Sequence, residues 1–495
     1  MDSQLFQNDW IADYYQSAAP WGYATIYRLA AMVGIDPVLL SKLLPIGLGL
    51  LCTVYCFGIA IEMLPLPWVG FWATLFLNQS LWGYEDLVSS TARSFVYPLF
   101  LAFLYYLLRG ALIPCLGTIV LQGLIYPPGL LTSAGILVIR LLHWREGKLQ
   151  FSQERRDYWF CMGGLLLSGL VLLPTVLESS TFGPTVSGAE ARAMAEFLPA
   201  GRTEFFVNNK IQYWLTGQRG GLMPYDWVRS LPIWFKPPQL WLGLLLPGLC
   251  LLPRQFPLLR SLRDRGGLLL QVLLVSLGLF LFAHGVLFKL YLPSRYTQFN
   301  LRILVALSGA IVLVGLIDTG RRWMQPRSSS LVRAMVLLSL ALLMGWAVAY
   351  PALGSLLGKP FPNLNYEVGQ YPALYQFLAQ QPKDTVIASL DYEASNLPTF
   401  ARRSVLVAPE YAIPYHKRYY REIRQRAIDL LEAQYALRQD QVKQVIQKYQ
   451  IDFWLLSVHA FQPQYIQEND WLMQYQSAAT QSIRRLQQGE HPALE

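Results

Sequence analysis

The chain has 495 residues, of which 54% are hydrophobic and only 14% charged, with a formal net charge of +9. Soluble domains carry about 25% charged residues, so this composition excludes an ordinary water-soluble globule and predicts a polytopic α-helical membrane protein. The basic excess does not point to nucleic acid, because Lys and Arg gather in short loops between apolar runs, as the positive-inside bias requires.

The chain opens on a polar, aromatic stretch, DSQLFQNDWIADYY, Asp2 to Tyr15, with three carboxylates: Asp2, Asp9 and Asp13. Asp9 and Asp13 are four residues apart and would share a face of a helix. A carboxylate beside a membrane can act as a general base on a sugar hydroxyl or hold a divalent cation; an ordinary solvated loop has the same composition. Trp21 to Gly34 places Ile26, Leu29, Ala30 and Val33 at helical spacing, which predicts an amphipathic helix lying in the interface. Gly34 can end it, and Asp36-Pro37 is an N-cap and first-turn pair for the next helix.

About ten apolar spans follow, at 38–61, 64–80, 94–109, 111–125, 127–142, 158–178, 238–253, 267–289, 301–317 and 331–353. A helix needs about 20 residues to cross the hydrocarbon. The two spans around Tyr126-Pro127-Pro128 fall short of that, which predicts either shielding by neighbouring helices or a broken helix beside a water-filled cavity. The basic loops 140–157, 254–265 and 318–333 read as cytoplasmic. Residues 1–37, 81–93, 179–237 and 291–300, and the tail after 354, are then exterior. A polar exterior N-terminus is most simply explained by one further transmembrane helix ahead of Asp2.

The exterior segments hold the candidates for chemistry. The stretch Trp82 to Leu99 carries Glu85, Asp86 and Arg93; an arginine there can grip a phosphate in bidentate fashion or merely anchor a helix end. The 179–237 loop is long enough to be functional. It contains an expected helix from Gly188 to Leu198, with Glu190, Arg192 and Glu196 as its solvated face, then Arg202, Lys210 and Arg219. Phe288 to Ile303 holds Lys289, Arg295 and Arg302 among Tyr291 and Tyr296, a basic group on the side where the bias disfavours one. An anionic substrate or headgroup would hold it there; so would pairing with the acidic first loop. His284 lies in an apolar span, where a satisfied packing histidine outweighs a functional one.

Residues 355–495 are a different material. The stretches DTVIASL, RSVLVAP and DFWLLSV alternate with helical segments at 371–380, 417–437 and 439–449, which predicts a small soluble α/β domain of three or more strands. APEYAIPYHKRYY, Ala408 to Tyr420, interleaves aromatics with Glu410, His416, Lys417 and Arg418, which suits carbohydrate or membrane-surface contact; the interface between this domain and the membrane face outweighs it. The five cysteines fall inside or at the ends of apolar spans, so no structural disulfide is expected, and no Cys/His spacing suits zinc. The domain plan is therefore 1–37 as first exterior loop, 38–354 as membrane domain and 355–495 as exterior domain.

Taken together, DSQLFQNDWIADYY, the YED of the second exterior loop and LPSRY resemble the GT-C superfamily of integral-membrane glycosyltransferases. ARSFVYPL, LIYPPGLL and LPSRYTQF carry a likeness to bacterial GT-C-like membrane proteins. The resemblance implies sugar transfer from a polyprenyl-phosphate-linked donor to an acceptor on the exterior face of the cell's inner membrane, with that donor and membrane lipids as partners. It further implies that a first-loop carboxylate, Asp9 ahead of Asp13 and Asp2, serves as base or metal ligand, a divalent cation being the one cofactor it allows. Glu85 or Asp86 would stand as second acidic residue, and Arg93, Lys289, Arg295 and Tyr296 would bind the phosphate. A flippase of lipid-linked saccharide and a non-catalytic membrane scaffold are the alternatives; the first should show repeated halves, and the second needs no carboxylate.

Overall fold

The computed structural model describes residues 4–145, 148–177, 181–228, 236–262, 265–324, 329–356, 358, 360–364 and 366–495; Asp2 lies outside them. Helices α1 (Trp10–Ala18) and α2 (Trp21–Met32) lead to α3 (Pro37–Met63), which starts where expected. The Asp36 carboxylate accepts from the Val38 and Leu39 amides, and Pro37 supplies a preset first turn. Next come α4 (Pro67–Trp82), the one-turn α5 (Glu85–Val88), α6 (Val96–Arg109), α7 (Leu112–Ile125) and α8 (Pro127–Ile139). A hairpin of β1 (Leu142–Arg145) and β2 (Lys148–Phe151) precedes α9 (Arg155–Leu177).

After the short α10 (Gly188–Ala191) and α11 (Tyr225–Val228), the bundle resumes with α12 (Pro238–Cys250), α13 (Gly267–Gly285), α14 (Gln298–Trp323) and α15 (Ser330–Leu356). Among the described residues each of the ten apolar stretches contains a helix. Among the described residues five helices, α3, α9, α13, α14 and α15, are long and apolar enough to cross a membrane, while α7, α8 and α12 are shorter apolar helices. The protein is a polytopic helical membrane protein.

Helix α14 is the centre of the bundle, buried along most of its apolar length. It meets α12 through glycine: a Cβ on Gly309 would lie 3.0 Å from the Gln239 carbonyl, and one on Gly243 would lie 2.7 Å from Ser308 Oγ. Only glycine allows backbones that close, which in lipid replaces the missing hydrophobic drive between helices. Buried amides fasten other seams. Gln79 donates to the Ala347 carbonyl at 2.8 Å, Gln239 to Ser80 Oγ at 3.0 Å and Asn300 to Ser276 Oγ at 2.9 Å. Each contributes about 0.6 kcal/mol. At the Tyr126 break, Ser133 of α8 donates to the Gln122 side chain of α7 at 2.8 Å, so the two short helices support each other.

The tail has α16 (Pro372–Ala379), β3 (Val386–Ala388), α17 (Leu397–Phe400), β4 (Ser404–Val405), α18 (Lys417–Gln434), α19 (Gln439–Tyr449) and β5 (Phe453–Trp454). Three further helices follow, α20 (Pro463–Gln467), α21 (Asp470–Met473) and α22 (Gln476–Gln487). The three strands are parallel in the order β4-β3-β5, with Ile387 opposite Val405 on one side and Phe453 on the other.

Two segments differ from the sequence reading. Ile11 and Tyr14 of α1 belong to the buried core of the tail domain. The Tyr14 ring stacks on Tyr419 at 3.7 Å and its hydroxyl meets His416 Nδ1 at 2.9 Å. The alternation of aromatics and carboxylates in DWIADYY thus gives a helix with one buried aromatic face. The expected helix from Gly188 to Leu198 ends at Ala191, because the chain turns there to bury Phe197 and Glu196. Glu196 is not on a solvated face: Tyr420 donates to it at 2.8 Å, and Arg424 lies 3.3 Å away.

Candidate active site

At one end of the bundle four separate segments close around a cavity of about 320 Å³. The first is the turn between α4 and α6. It buries Asp86 to 2% exposure and sets Arg93 Nη1 3.6 Å from Asp86 Oδ1, while Tyr97 donates to Oδ2 at 3.5 Å. The turn keeps its shape because Ser94 Oγ donates to the Asp86 carbonyl at 2.8 Å. Asp86 Oδ1 is buried without a hydrogen bond of its own. Such an oxygen is costly unless something uses it. Tyr84 and Glu85, from the same turn, line the cavity with Arg93.

The second segment is the Pro293–Tyr296 turn ahead of α14, which contributes Leu292, Arg295 and then Gln298 to the wall. The third is the long loop, with Arg202, Thr203, Gln218 and Arg219; its Arg219 carbonyl accepts from the Ser294 amide at 3.3 Å and so ties loop to turn. The fourth is the tail, where the residues following β4 bring Pro409, Glu410 and Tyr415 to the rim. Arg202 and Glu410 form an ion pair across that rim.

The cavity is strongly cationic: four arginines, 93, 202, 219 and 295, face the carboxylates of Glu85 and Glu410. Arg219 Nε is buried and makes no hydrogen bond. Burial holds this guanidinium below its ordinary pKa, and the charges of Arg295 and Arg202 push the same way. A dianion entering here would relieve that mutual repulsion. Burial also pushes the Tyr84 hydroxyl up to about 12, so it stays a neutral donor.

Behind the wall, Arg302 of α14 is 1% exposed and held in a two-pronged pair by Asp226, with Nη1 to Oδ2 at 3.0 Å. Its guanidinium also sits 4.7 Å from the centre of the Tyr84 ring. The partner of Arg302 is therefore in the 179–237 loop, not in the acidic first loop. This pair pins α11 to α14 and so fixes the loop that carries Arg219.

Of the residues singled out from sequence, Glu85, Arg93 and Arg295 come together in the cavity and Asp86 lies directly behind Arg93. Asp9, Asp13, Lys289 and Tyr296 are not among its lining residues. The Asp9 carboxylate caps α1, accepting from the amides of Ile11 at 2.8 Å and Ala12 at 3.1 Å. Asp13 faces a separate bowl. Lys289 is exposed, and the buried Tyr296 donates its hydroxyl to the Leu290 carbonyl at 3.1 Å. His284 is satisfied on both nitrogens, by the Gly220 carbonyl at 2.9 Å and the Tyr213 hydroxyl at 3.3 Å.

Arg202, Arg219, Glu410 and Tyr415 were visible only as part of a long basic loop and an aromatic stretch, and Asp226 gave no signal. A divalent cation fits the described residues poorly. No group of three or more His, Cys, Asp or Glu side chains gathers among them, and Asp86 is engaged by Arg93 and Tyr97.

No protein-family model and no curated protein matches the sequence. Among solved structures, the chain is similar to the oligosaccharyltransferase of Archaeoglobus fulgidus, crystallised tethered to an acceptor peptide containing the NVT sequon. The TM-score is 0.56 at 12% identity, covering 93% of this chain and 63% of that one. The likeness is one of fold. The chain spans less than two thirds of the length of that archaeal enzyme, so the shared part is the architecture.

Proposed function

We propose that this protein is a membrane glycosyltransferase that takes a sugar from a polyprenyl-phosphate-linked donor and transfers it to an acceptor on the exterior face of the inner membrane. The observation that carries this reading is the convergence of Arg93, Arg202, Arg219 and Arg295 with Glu85 in one cavity, with Asp86 behind Arg93, at the end of a GT-C-like bundle. Sugar transfer from a lipid phosphate builds negative charge on the departing phosphate. Preorganised guanidinium groups stabilise that charge at no reorganisation cost. At 4 Å and an effective dielectric of 20, one such pair is worth about 4 kcal/mol.

Arg295 and Arg219 are the leading phosphate ligands in this scheme. Arg93 bridges the phosphate to Asp86, and Glu85, the carboxylate of this turn that lines the cavity, is the group best placed to accept a proton from the acceptor. The first-loop aspartates are the weaker candidates for that base, since Asp9 is engaged as a helix cap. The test is transfer of a labelled sugar from a lipid-phosphate-linked donor in vesicles holding the purified protein, comparing the native chain with Glu85→Gln, Asp86→Asn and Arg295→Gln. Loss of transfer with retained folding in these variants supports the reading. Full transfer in all three overturns it, and movement of the lipid-linked sugar across the vesicle without transfer would make the protein a flippase.

A further inference from the structure

A second concavity lies outside the arginine cavity and takes no part in the scheme above. It is a shallow bowl of about 600 Å³ between α1, α2 and the tail, and its wall includes Trp10, Asp13, Arg28, Thr181, Phe182 and Arg418. Two opposite charges, Asp13 and Arg28, share this bowl without closing on each other. Both are exposed, and the side chain of neither makes a hydrogen bond or ion pair with the described residues. Arg418 is anchored differently: its Nη1 donates to the Thr181 carbonyl at 3.1 Å and its guanidinium lies 5.8 Å from the Trp10 ring centre. Among the described residues the rest of its donor fork meets no side-chain acceptor. Two cations and one carboxylate gathered around an aromatic floor describe a receptor for a zwitterion.

The position of the bowl says which zwitterion. Arg28 belongs to α2, which is separated by four residues from the first span, beginning at Pro37. Helix α2 lies against the end of α7, where a Cβ on Gly22 would come within 2.9 Å of the Leu124 carbonyl. Its tyrosines 23 and 27 donate to the Ser90 carbonyl in the turn that ends the bundle on the same side. The remaining face of α2 is apolar and open: Trp21, Leu29, Met32 and Val33 are each more than half exposed. A helix so composed, entering a span, lies along a bilayer surface with its apolar side down. The bowl therefore opens at headgroup level.

We infer that the bowl is a site for a zwitterionic phospholipid headgroup, the phosphate accepting from Arg28 and Arg418 and the ammonium donating to Asp13. A primary ammonium suits it better than a quaternary one. A carboxylate pairs best with N–H donors, and the Trp10 ring that could cradle a choline already has Arg418 beside it. Phosphatidylethanolamine is the bilayer lipid with that chemistry. Bound there, it would hold α1 and α2 to the membrane beside the arginine cavity.

The experiment uses the full chain in nanodiscs made with equal parts of phosphatidylethanolamine, phosphatidylcholine and phosphatidylglycerol, followed by native mass spectrometry of the lipid retained on extraction. Retention of phosphatidylethanolamine at least fivefold over phosphatidylcholine is expected. Asp13→Asn should move the preference to phosphatidylglycerol, because the cations remain; Arg28→Gln should lower retention of both. Equal retention of the three lipids by the native chain, or retained lipid unchanged in both variants, overturns the proposal. So does an Asp13→Asn variant that loses sugar transfer while keeping its phosphatidylethanolamine, which would make the bowl part of the reaction site. Lipid retention is read without any donor, so a failure here is distinguishable from a failure of the glycosyltransferase reading.

Discussion

Asp86 and Arg93 stand 3.6 Å apart with the facing carboxylate oxygen buried and otherwise unbonded. The pair is too long for a good hydrogen bond and is open to the cavity on the arginine side. Replacing Arg93 by Gln removes the cation that, among the described residues, forms the ion pair with a nearly inaccessible carboxylate. The expected cost is about 3 kcal/mol, the low end for a broken buried pair because Arg93 keeps some water contact. Asp86→Asn leaves no buried charge and should destabilise less, while still lowering transfer. A thermal unfolding series on both variants, run beside the transfer assay, separates the two effects; equal destabilisation would count against this account of the pair.

Arg302 and Asp226 lead to a second prediction. Asp226→Ala strands a fully buried guanidinium and should cost about 3 kcal/mol, whereas Asp226→Ala combined with Arg302→Met restores most of that loss. Because the pair pins the loop that carries Arg219, the double variant should refold stably and yet bind the donor more weakly. Thermal midpoints for the two singles and the double, with donor affinity for the double, test it. Additive losses would show that the pair is not the coupling.

The anion site makes its own demand. Arg219→Gln and Arg295→Gln each remove one charge-assisted contact to a phosphate, worth about 1.5–3 kcal/mol, so donor affinity should fall roughly tenfold to a hundredfold. Raising the salt concentration should weaken binding by the native chain more than by either variant, since screening acts on the charge that the variants lack. Titration of a short-chain lipid phosphate at two salt concentrations measures both effects.

The same parts of the molecule were unequally legible in the sequence. The ten helices follow from apolar runs alone, and the parallel tail strands from β-rich heptapeptides, because burial in lipid or between helices leaves a local composition. Glu85, Asp86, Arg93 and Arg295 stood out because charge at the end of a span is expensive enough to need a reason. The Arg302–Asp226 pair did not: two residues 76 apart meet only once α11 has docked on α14, and no local pattern encodes that. The docking of α1 on the tail is the same kind of event across about 400 residues, Tyr14 to His416. An acidic, aromatic loop was readable; which of its faces would be buried was not.

His416 gives that docking a pH dependence. Burial holds its pKa below the ordinary 6.5, so the folded state favours the neutral ring. The unfolded chain binds the proton more readily, and the stabilisation is complete above pH 6.5 and declines as the pH falls below it. With the intrinsic exchange rate divided out, the protection of the α1 amides should therefore fall as the pH is lowered from 6.5 to 5 in the native chain. A His416→Gln variant, with nothing to titrate at that position, should show a flat profile once the intrinsic exchange rate is divided out.

Asp9 is the residue on which the sequence and the structure pull hardest in different directions. As a base it would be ruined by Asp9→Asn, which removes the proton acceptor. As a helix cap it would be almost untouched, because Asn caps as well as Asp. Asp9→Ala separates the roles from the other side: loss of the bonds to the Ile11 and Ala12 amides should cost about 1 kcal/mol and loosen α1. The expected pattern is near-native transfer in Asp9→Asn, a small stability loss in Asp9→Ala, and a transfer loss of a hundredfold or more in Glu85→Gln, the scale of a positioned general base. Transfer abolished in Asp9→Asn with unchanged thermal stability would return the catalytic role to the first loop, and would require that segment to leave the tail core and reach the arginine cavity.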